Sequence, residues 1–525
     1  MSAARADLAR PGVAAAAGVA GTPRSFRKVL VANRGEIAVR VCRTLQAMSL
    51  PSVAVFSDAD RGAPHVRAAV EAVRIGPAAP ADSYLNIAAI LEAARATGAD
   101  AIHPGYGFLS QSAPCVRACG EAGVTFIGPS AEAMERLGDK ESSRRAAVRC
   151  GVPVIPGAED VPDAARARAE AARIGFPVLL KAAGGGGGRG MRRVDSADAL
   201  PDAFESARRE AMASFGNGRI FVEKLIHPAR HVEIQILGDG KDAIALGERE
   251  CSLQRRYQKV IEESPSTAVT AAVRGAMERA AVALARDAGY AGAATVEFLL
   301  GPDGSFYFLE VNTRLQVEHP VTEMRFGLDL VRAQIEIAAG GRLPQPSAPR
   351  GHAIEARLNA EDPYHGYLPQ SGTILLLDWP KGEGIRVDAG IAAGQTIQTH
   401  YDSLLAKIVA HGATREEARA RLRTALAGLA LLGVRTNQRF LLELLADDAF
   451  ASGGTYTHTL ESRSWPAPEG IPDEALVAAG ILLFMPREAV AGERDDADRF
   501  SPWLSLGAWG RPGAAAGAAA RGSAS

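Results

Sequence analysis

Residues 309–320 read Leu-Glu-Val-Asn-Thr-Arg-Leu-Gln-Val-Glu-His-Pro, and every second side chain from Glu310 to Glu318 can do chemistry. In extended chain alternate side chains share a face. Glu310, Asn312, Arg314, Gln316 and Glu318 therefore present two carboxylates, two amides and a guanidinium together. Oxygen ligands of this kind hold a hard cation, and a guanidinium fork holds an oxyanion. A third carboxylate joins them if Ala293–Leu300 and Ser305–Val311 form a hairpin about the turn sequence Gly301-Pro-Asp-Gly304. A four-residue loop pairs position 297 with 308 and sets Glu297 diagonal to Glu310 on one face. Glu297, Glu310 and Asn312 are thus candidate Mg²⁺ ligands, since Mg²⁺ takes one or two carboxylates plus substrate phosphates.

Gly184 to Gly190 form a glycine-rich run directly after a short apolar strand, Val178–Ala182, that carries Lys181. Glycines let successive backbone N–H groups converge on phosphate oxygens, and no Gly-Lys-Ser/Thr follows, so the run is not a P-loop. Arg255, Arg256 and Lys259 are a cationic group with Gln254 and Gln258 interleaved. A phosphate cradle, lysines and carboxylate-held Mg²⁺ are the equipment of phosphoryl transfer from a nucleotide. Arg314 and Lys259 could bind a small oxyanion as acceptor, and Glu318 could take its proton. His103, in His-Pro-Gly-Tyr-Gly-Phe-Leu-Ser, reads as a structural residue in a tight turn.

The elements that must position these groups follow from periodicity. Lys28–Ala32 is a short strand. Asn33 reads as the N-cap of a helix, with Glu36 completing a capping box and Ile37, Val41 and Leu45 as its buried stripe. Ser52–Phe56 and Ala99–His103 are further strands, and the alternation with helices to about 130 predicts an open, mostly parallel α/β sheet. Ile220–Leu225 and His231–Leu237 are strands, Leu328–Gly340 a helix, His352–Lys407 a second β-rich stretch and Arg415–Ala430 an amphipathic helix. The 525 residues suggest two to four domains. A net charge of −1 favours neither nucleic acid nor a membrane surface. Five cysteines without metal-ligand spacing fit a reducing compartment. Apolar runs such as Ala475–Met485 are too short to span a bilayer.

These motifs carry a resemblance. Ala32-Asn-Arg-Gly-Glu-Ile-Ala38, His103 to Ser110, Gly138-Asp-Lys140, Lys181 with the glycine run, Glu223-Lys224 and Arg230-His-Val-Glu-Ile-Gln235 occur in order. Glu248-Arg-Glu-Cys-Ser252, Gln254 to Lys259, Glu310 to Pro320 and Glu355 to Pro363 follow them. Over residues 25–465 the chain resembles biotin carboxylase, the ATP-grasp component of biotin-dependent carboxylases. The resemblance implies an α/β ATP-grasp fold in which 25–149 is a Rossmann-like N-terminal domain, 150–226 a mobile lid, 227–350 the ATP-grasp core and 351–465 a C-terminal α+β domain. Residues 1–24 would be a disordered leader, and 466–525 a linker-like helix (Glu474–Met485) with a disordered tail.

The resemblance also implies roles. Lys140, Lys181, Gly187, Gly188 and His231 would bind ATP. Glu223, Lys224, Leu225 and Ile226 would meet the adenine, and Gln254, Tyr257 and Glu297 would also lie at the nucleotide. Glu297, Glu310 and Asn312 would hold Mg²⁺ (or Mn²⁺). Lys259, Arg314, Gln316 and the Val317 backbone would bind bicarbonate, Glu318 would be the general base, and Arg357 would bind biotin and stabilise its enolate. Five positions depart from the family: Tyr257 stands for a His, Gln111 and Ser112 for Glu and Asn, Phe326 for a small residue and Val70 for an Asp. No lysine follows Lys407 and Ala-Met-Lys-Met is absent, so biotin would arrive on a separate carrier protein, or the chain is a shortened form of a longer subunit. Ser501-Pro-Trp503 and Gly507-Ala-Trp509 resemble the linker of methylcrotonyl-CoA carboxylase. Expected partners are a carrier, a carboxyltransferase subunit and a second copy of the chain, with no nucleic acid and no membrane. A cytoplasmic location is expected, the mitochondrial matrix being the alternative. The rival readings are another ATP-grasp ligase and a non-catalytic regulatory or assembly subunit.

Overall fold

The computed structural model describes residues 25–182, 191–215, 218–255 and 258–467, together with 470 and 477. Residues 25–465 fall in one compact unit.

The N-terminal part is a five-stranded parallel sheet of β1 (Val29–Val31), β2 (Ser52–Ser57), β3 (Glu71–Gly76), β4 (Ala101–His103) and β5 (Thr125–Phe126), ordered β3-β2-β1-β4-β5. Strands β1, β2 and β4 are buried along their length, as expected of a parallel sheet covered on both faces. The helix Gly35–Ala47 buries Ile37, Val41 and Leu45. Its start differs from the expected capping box. Arg34, not Asn33, is the N-cap, and no side chain caps it. Gly35 at φ +65° sets Asn33 outside the helix. The Asn33 amide instead donates to the carbonyls of Pro104 and Tyr106 at 2.7 Å each, fastening the helix start to the turn that follows β4. Within that turn His103 accepts from the Gly105 N–H at 3.0 Å, and burial pushes its pKa down to about 4. It is a neutral structural histidine.

A second, antiparallel sheet joins β6 (Gly157–Val161), β7 (Val178–Ala182), β8 (Met191–Val194) and β9 (Ile220–Lys224) in the order β6-β9-β7-β8. Helices Ala164–Ile174 and Leu200–Phe215 cover it. Its core of Val178, Leu180, Phe204, Ile220 and Val222 is its own.

The third sheet has eight antiparallel strands. β10 (Arg230–Asp239), β11 (Ala243–Arg255), β12 (Gln258–Ser264), β13 (Ala291–Leu300), β14 (Phe306–Asn312) and β15 (His352–Asn359) are joined by Leu404–Gly412 and Ile385–Ala389. The order is β14-β13-β10-β11-β12-β15, then Leu404–Gly412, then Ile385–Ala389. β12 pairs directly with β15, so the ladder crosses position 350 without a break. The hairpin between β13 and β14 corrects the expected register. Its loop is 301–305, one residue longer than expected, because Leu300 pairs with Phe306. Phe308 pairs with Phe298 and Glu310 with Glu297, so Leu309 is the extra residue of a bulge. The two shifts place Glu297 directly opposite Glu310 rather than diagonal to it.

Candidate active site

The register sets four ionisable residues in one cross-strand row: Glu310 on β14, Glu297 on β13, Glu233 on β10 and Arg249 on β11. Neighbouring strands are about 4.8 Å apart, so three carboxylates meet at close range and need counter-charge. Arg249, wholly buried, donates to Glu233 at 2.6 Å and spreads its other donors over Gln235, Thr295 and Thr322. Lys259 supplies the rest. Its Nζ lies 2.6 Å from Glu233, 2.9 Å from Glu297 and 2.6 Å from Glu318. Burial would lower the Lys259 pKa, but the neighbouring Cys251 and these carboxylates raise it well above the usual lysine value.

Glu318 is wholly buried between two cations, Lys259 and Arg357, the latter at 2.9 Å. Burial would raise its carboxyl; Lys259, Arg357 and Arg249 outweigh that and hold it well below the ordinary carboxylate range. Burial likewise opposes, and Lys259 and His231 prevail, in holding Glu297 below its usual range. His231 Nε2 sits 3.0 Å from Glu297. Burial would lower the His231 pKa, yet the Glu297 carboxylate raises it. Arg357 also donates to Glu262 at 2.6 Å, and burial pushes that second carboxyl up to about 7.

The loop after β14 carries the acceptor candidates. Arg314 donates to Gln316 at 2.6 Å, to Asn312 at 3.0 Å, to the Leu315 carbonyl at 3.1 Å and to Gln111 at 2.8 Å. Gln316 and Asn312 both donate to Glu297, at 3.1 and 2.9 Å. The Val317 carbonyl accepts from the wholly buried Lys407 at 2.9 Å. Lys407 also lies 3.3 Å from Glu36 on the N-terminal helix.

One cavity of about 930 Å³ unites these groups. Lys140, Lys181, Glu223, Leu225, Ile226 and His231 line it. Gln254, Lys259, Glu297, Glu310, Asn312, Arg314, Gln316, Val317 and Arg357 line it as well. Lys181 is paired with Glu223. Glu297 and Glu310 stand opposite one another, Glu310 opens onto the cavity, and Asn312, whose Oδ1 here accepts from Arg314, lies two residues on; two carboxylates and an amide oxygen are a donor set that fits a hard cation such as Mg²⁺. Lys224 is not among the residues that line the cavity; its side chain donates to the carbonyls of Gly175 and Phe176 at 3.0 and 2.9 Å. Gly187, Gly188 and Tyr257 lie outside the described residues.

Sequence reasoning missed Glu233, Arg249, Glu262, Lys407 and the Gln111–Arg314 contact. A signal for Glu233 was present. His231, Glu233 and Gln235 alternate with Val232, Ile234 and Ile236, the same period-two pattern that identified 310–318.

The chain matches three family models: "Biotin carboxylase, N-terminal domain" over residues 25–134, "Carbamoyl-phosphate synthase L chain, ATP binding domain" over 139–346, and "Biotin carboxylase C-terminal domain" over 355–462. It is 47% identical to the biotin carboxylase of Haemophilus influenzae over 83% of this chain and 99% of that protein. It is 50% identical to the mitochondrial methylcrotonoyl-CoA carboxylase subunit alpha of Oryza sativa over 83% of this chain, and spans only 60% of that subunit. Among solved structures it resembles the Campylobacter jejuni biotin carboxylase complex with a β,γ-ATP ligand (TM-score 0.78, 41% identity, 84% of this chain and 99% of that one). It also resembles the biotin carboxylase domain dimer of Hydrogenobacter thermophilus 2-oxoglutarate carboxylase with MgADP, ADP and bicarbonate (TM-score 0.76, 44% identity, 83% and 97%). The buried ion cluster, the cavity and these likenesses agree: the chain belongs to the biotin carboxylase family of ATP-grasp ligases.

Proposed function

We propose that this chain carboxylates biotin carried on a separate protein, using bicarbonate and ATP, as the biotin carboxylase component of an acyl-CoA or acetyl-CoA carboxylase. The observation that best supports the reading is the buried Glu318 carboxylate held between Lys259 and Arg357, with Arg314 and Gln316 on the same loop. Lys140, Lys181 and His231 bind and orient the phosphates, and Glu223 through Ile226 receive the adenine by backbone and apolar contact. Glu297, Glu310 and Asn312 would hold Mg²⁺, which when bound neutralises charge on the transferring phosphoryl group.

Arg314, Gln316, Lys259 and the Val317 backbone hold bicarbonate for attack on the γ-phosphate, giving ADP and carboxyphosphate. Glu318 takes the bicarbonate proton. A carboxylate this far below its ordinary range is ionised near neutrality but weakly basic. Bicarbonate entering beside Lys259 draws that cation away from Glu318 and raises its basicity when the proton must move. Carboxyphosphate then yields CO₂ and phosphate, the phosphate takes the N1′ proton of biotin, and Arg357 stabilises the enolate that attacks CO₂. Water must be excluded while carboxyphosphate exists. The β6–β9 sheet, with a core of its own, suits a lid.

The domain division at 149, 226, 350 and 465 belongs to this proposal, as do a carboxyltransferase partner, a homodimer or larger assembly, and a cytoplasmic location. Among the described residues no helix is long and apolar enough to cross a membrane. A non-catalytic regulatory role finds no support: the named relatives are carboxylases or their subunits, and the described acid, base and anion groups are all present. Purified protein given ATP, Mg²⁺, bicarbonate and free biotin should release ADP in a biotin-dependent way. Glu318→Gln should lower that rate by roughly 10²–10⁴. Biotin-independent background alone, equal in both proteins, would sink the proposal.

A further inference from the structure

Every hydrogen bond that the Arg314 guanidinium makes among the described residues ends on a neutral oxygen: Gln111 Oε1, Gln316 Oε1, Asn312 Oδ1 and the Leu315 carbonyl. Its neighbours differ. Lys259 meets three carboxylates, Arg357 two, and Arg249 and Lys181 one each. A guanidinium locked by neutral acceptors keeps its fork geometry and its full charge for an incoming anion. Three of the four acceptors lie within two residues of Arg314, Asn312 at the end of β14 and Leu315 and Gln316 on the loop itself. The fourth, Gln111, reaches in from the turn after β4, 203 positions away in the chain, and takes the Nε–H at 2.8 Å.

We propose that Gln111 is a positioning residue that holds Arg314 without cancelling its charge, and thereby sets the affinity of the site for a small oxyanion of the bicarbonate type. The inference rests on the reading of Arg314 as part of the bicarbonate site. A carboxylate of the same length at position 111 would accept the same Nε–H but would turn the contact into an ion pair, so bicarbonate would compete with a resident anion. Gln111 is exposed, so the competing pair would be screened and worth no more than an ordinary surface ion pair. The neutral amide therefore separates two tasks that a carboxylate would merge, aiming the fork and neutralising it.

The test compares wild type, Gln111→Glu and Gln111→Ala in bicarbonate-dependent ADP release at saturating ATP and Mg²⁺. Gln111→Glu should raise the bicarbonate KM about two- to fivefold, leave kcat and the ATP KM within about twofold, and lose most of the KM rise in about 0.5 M KCl. Gln111→Ala adds no charge, so its KM change should not respond to salt. An unchanged bicarbonate KM in Gln111→Glu, or a rise that salt leaves intact, overturns the inference. Wild-type protein lacking bicarbonate-dependent ADP release overturns the functional reading beneath it, and is recognised without any variant.

Discussion

Lys259→Met removes the one cation that three buried carboxylates share. In the wild type Glu297 and Glu318 are held below the ordinary value of 4.5. The stability they contribute is therefore complete above about pH 4.5 and is lost as pH falls through their folded values. Without Lys259 the burial remains and the compensation goes. Burial and the nearby Glu318 already hold Glu233 above its ordinary value in the wild type, so it is Glu297 or Glu318 that must then bind a proton in the folded state with a pKa above its unfolded value. Such a group costs stability increasingly as pH rises from 4.5 toward that raised value, at about 1.4 kcal/mol per pH unit for one proton. The variant should therefore lose ground to wild type by up to about 2.7 kcal/mol between pH 5.5 and 7.5. The loss from leaving buried charge unpaired should total about 3–5 kcal/mol near neutrality. Urea denaturation of both proteins at the two pH values reads the difference directly. A stability gap that does not widen with pH would refute the shared-counterion account, and a gap under about 1 kcal/mol would show that Arg249 and Arg357 suffice.

Two further outcomes are expected. Glu310→Gln should raise the Mg²⁺ concentration needed for half-maximal ADP release by roughly tenfold or more while leaving the urea midpoint almost unchanged; equal Mg²⁺ dependence would remove Glu310 from the donor set. Lys407→Met should cost about 3–5 kcal/mol, because it strands the buried Glu36 and frees the Val317 carbonyl, while Asp388 keeps Arg386. Adding Glu36→Gln should restore part of that loss, and a double variant no more stable than the single would contradict the pairing.

The apolar stripe of the first helix was legible as a local periodicity. So was the parallel sheet, whose strands read as short apolar runs between helices. The alternating face expected at 310–318 holds only for Glu310 and Asn312: β14 ends at Asn312, and Arg314, Gln316 and Glu318 reach the site on the loop and turn that follow. The register of Glu297 against Glu310 was not legible, because Leu309 carries no mark of a bulge and one inserted residue changes every pairing beyond it. Asn33 was misread for a related reason. A cap residue followed three positions later by Glu is a local signal, but the turn after β4 offered its amide two carbonyl acceptors at long range, those of Pro104 and Tyr106. Arg249 and Lys407 were given no role from the sequence. Their burial depends on carboxylates 16 and 371 positions away in the chain, Glu233 and Glu36, which no local window relates to them.

The unbroken ladder from β14 through Ile385–Ala389 has a consequence for how the protein can be cut. Position 350 separates two stretches of chain, but the hydrogen bonds between β12 and β15 run straight across that division. A fragment ending there would bare the β12 edge, with the apolar side chains of Val260 and Ile261 that are now buried beside it. A long apolar strand with open N–H and C=O groups invites pairing with another chain. The stretch before position 350 is thus not a separable module: the strand that carries Arg357 also keeps the sheet of Glu297 and Lys259 from becoming an adhesive edge.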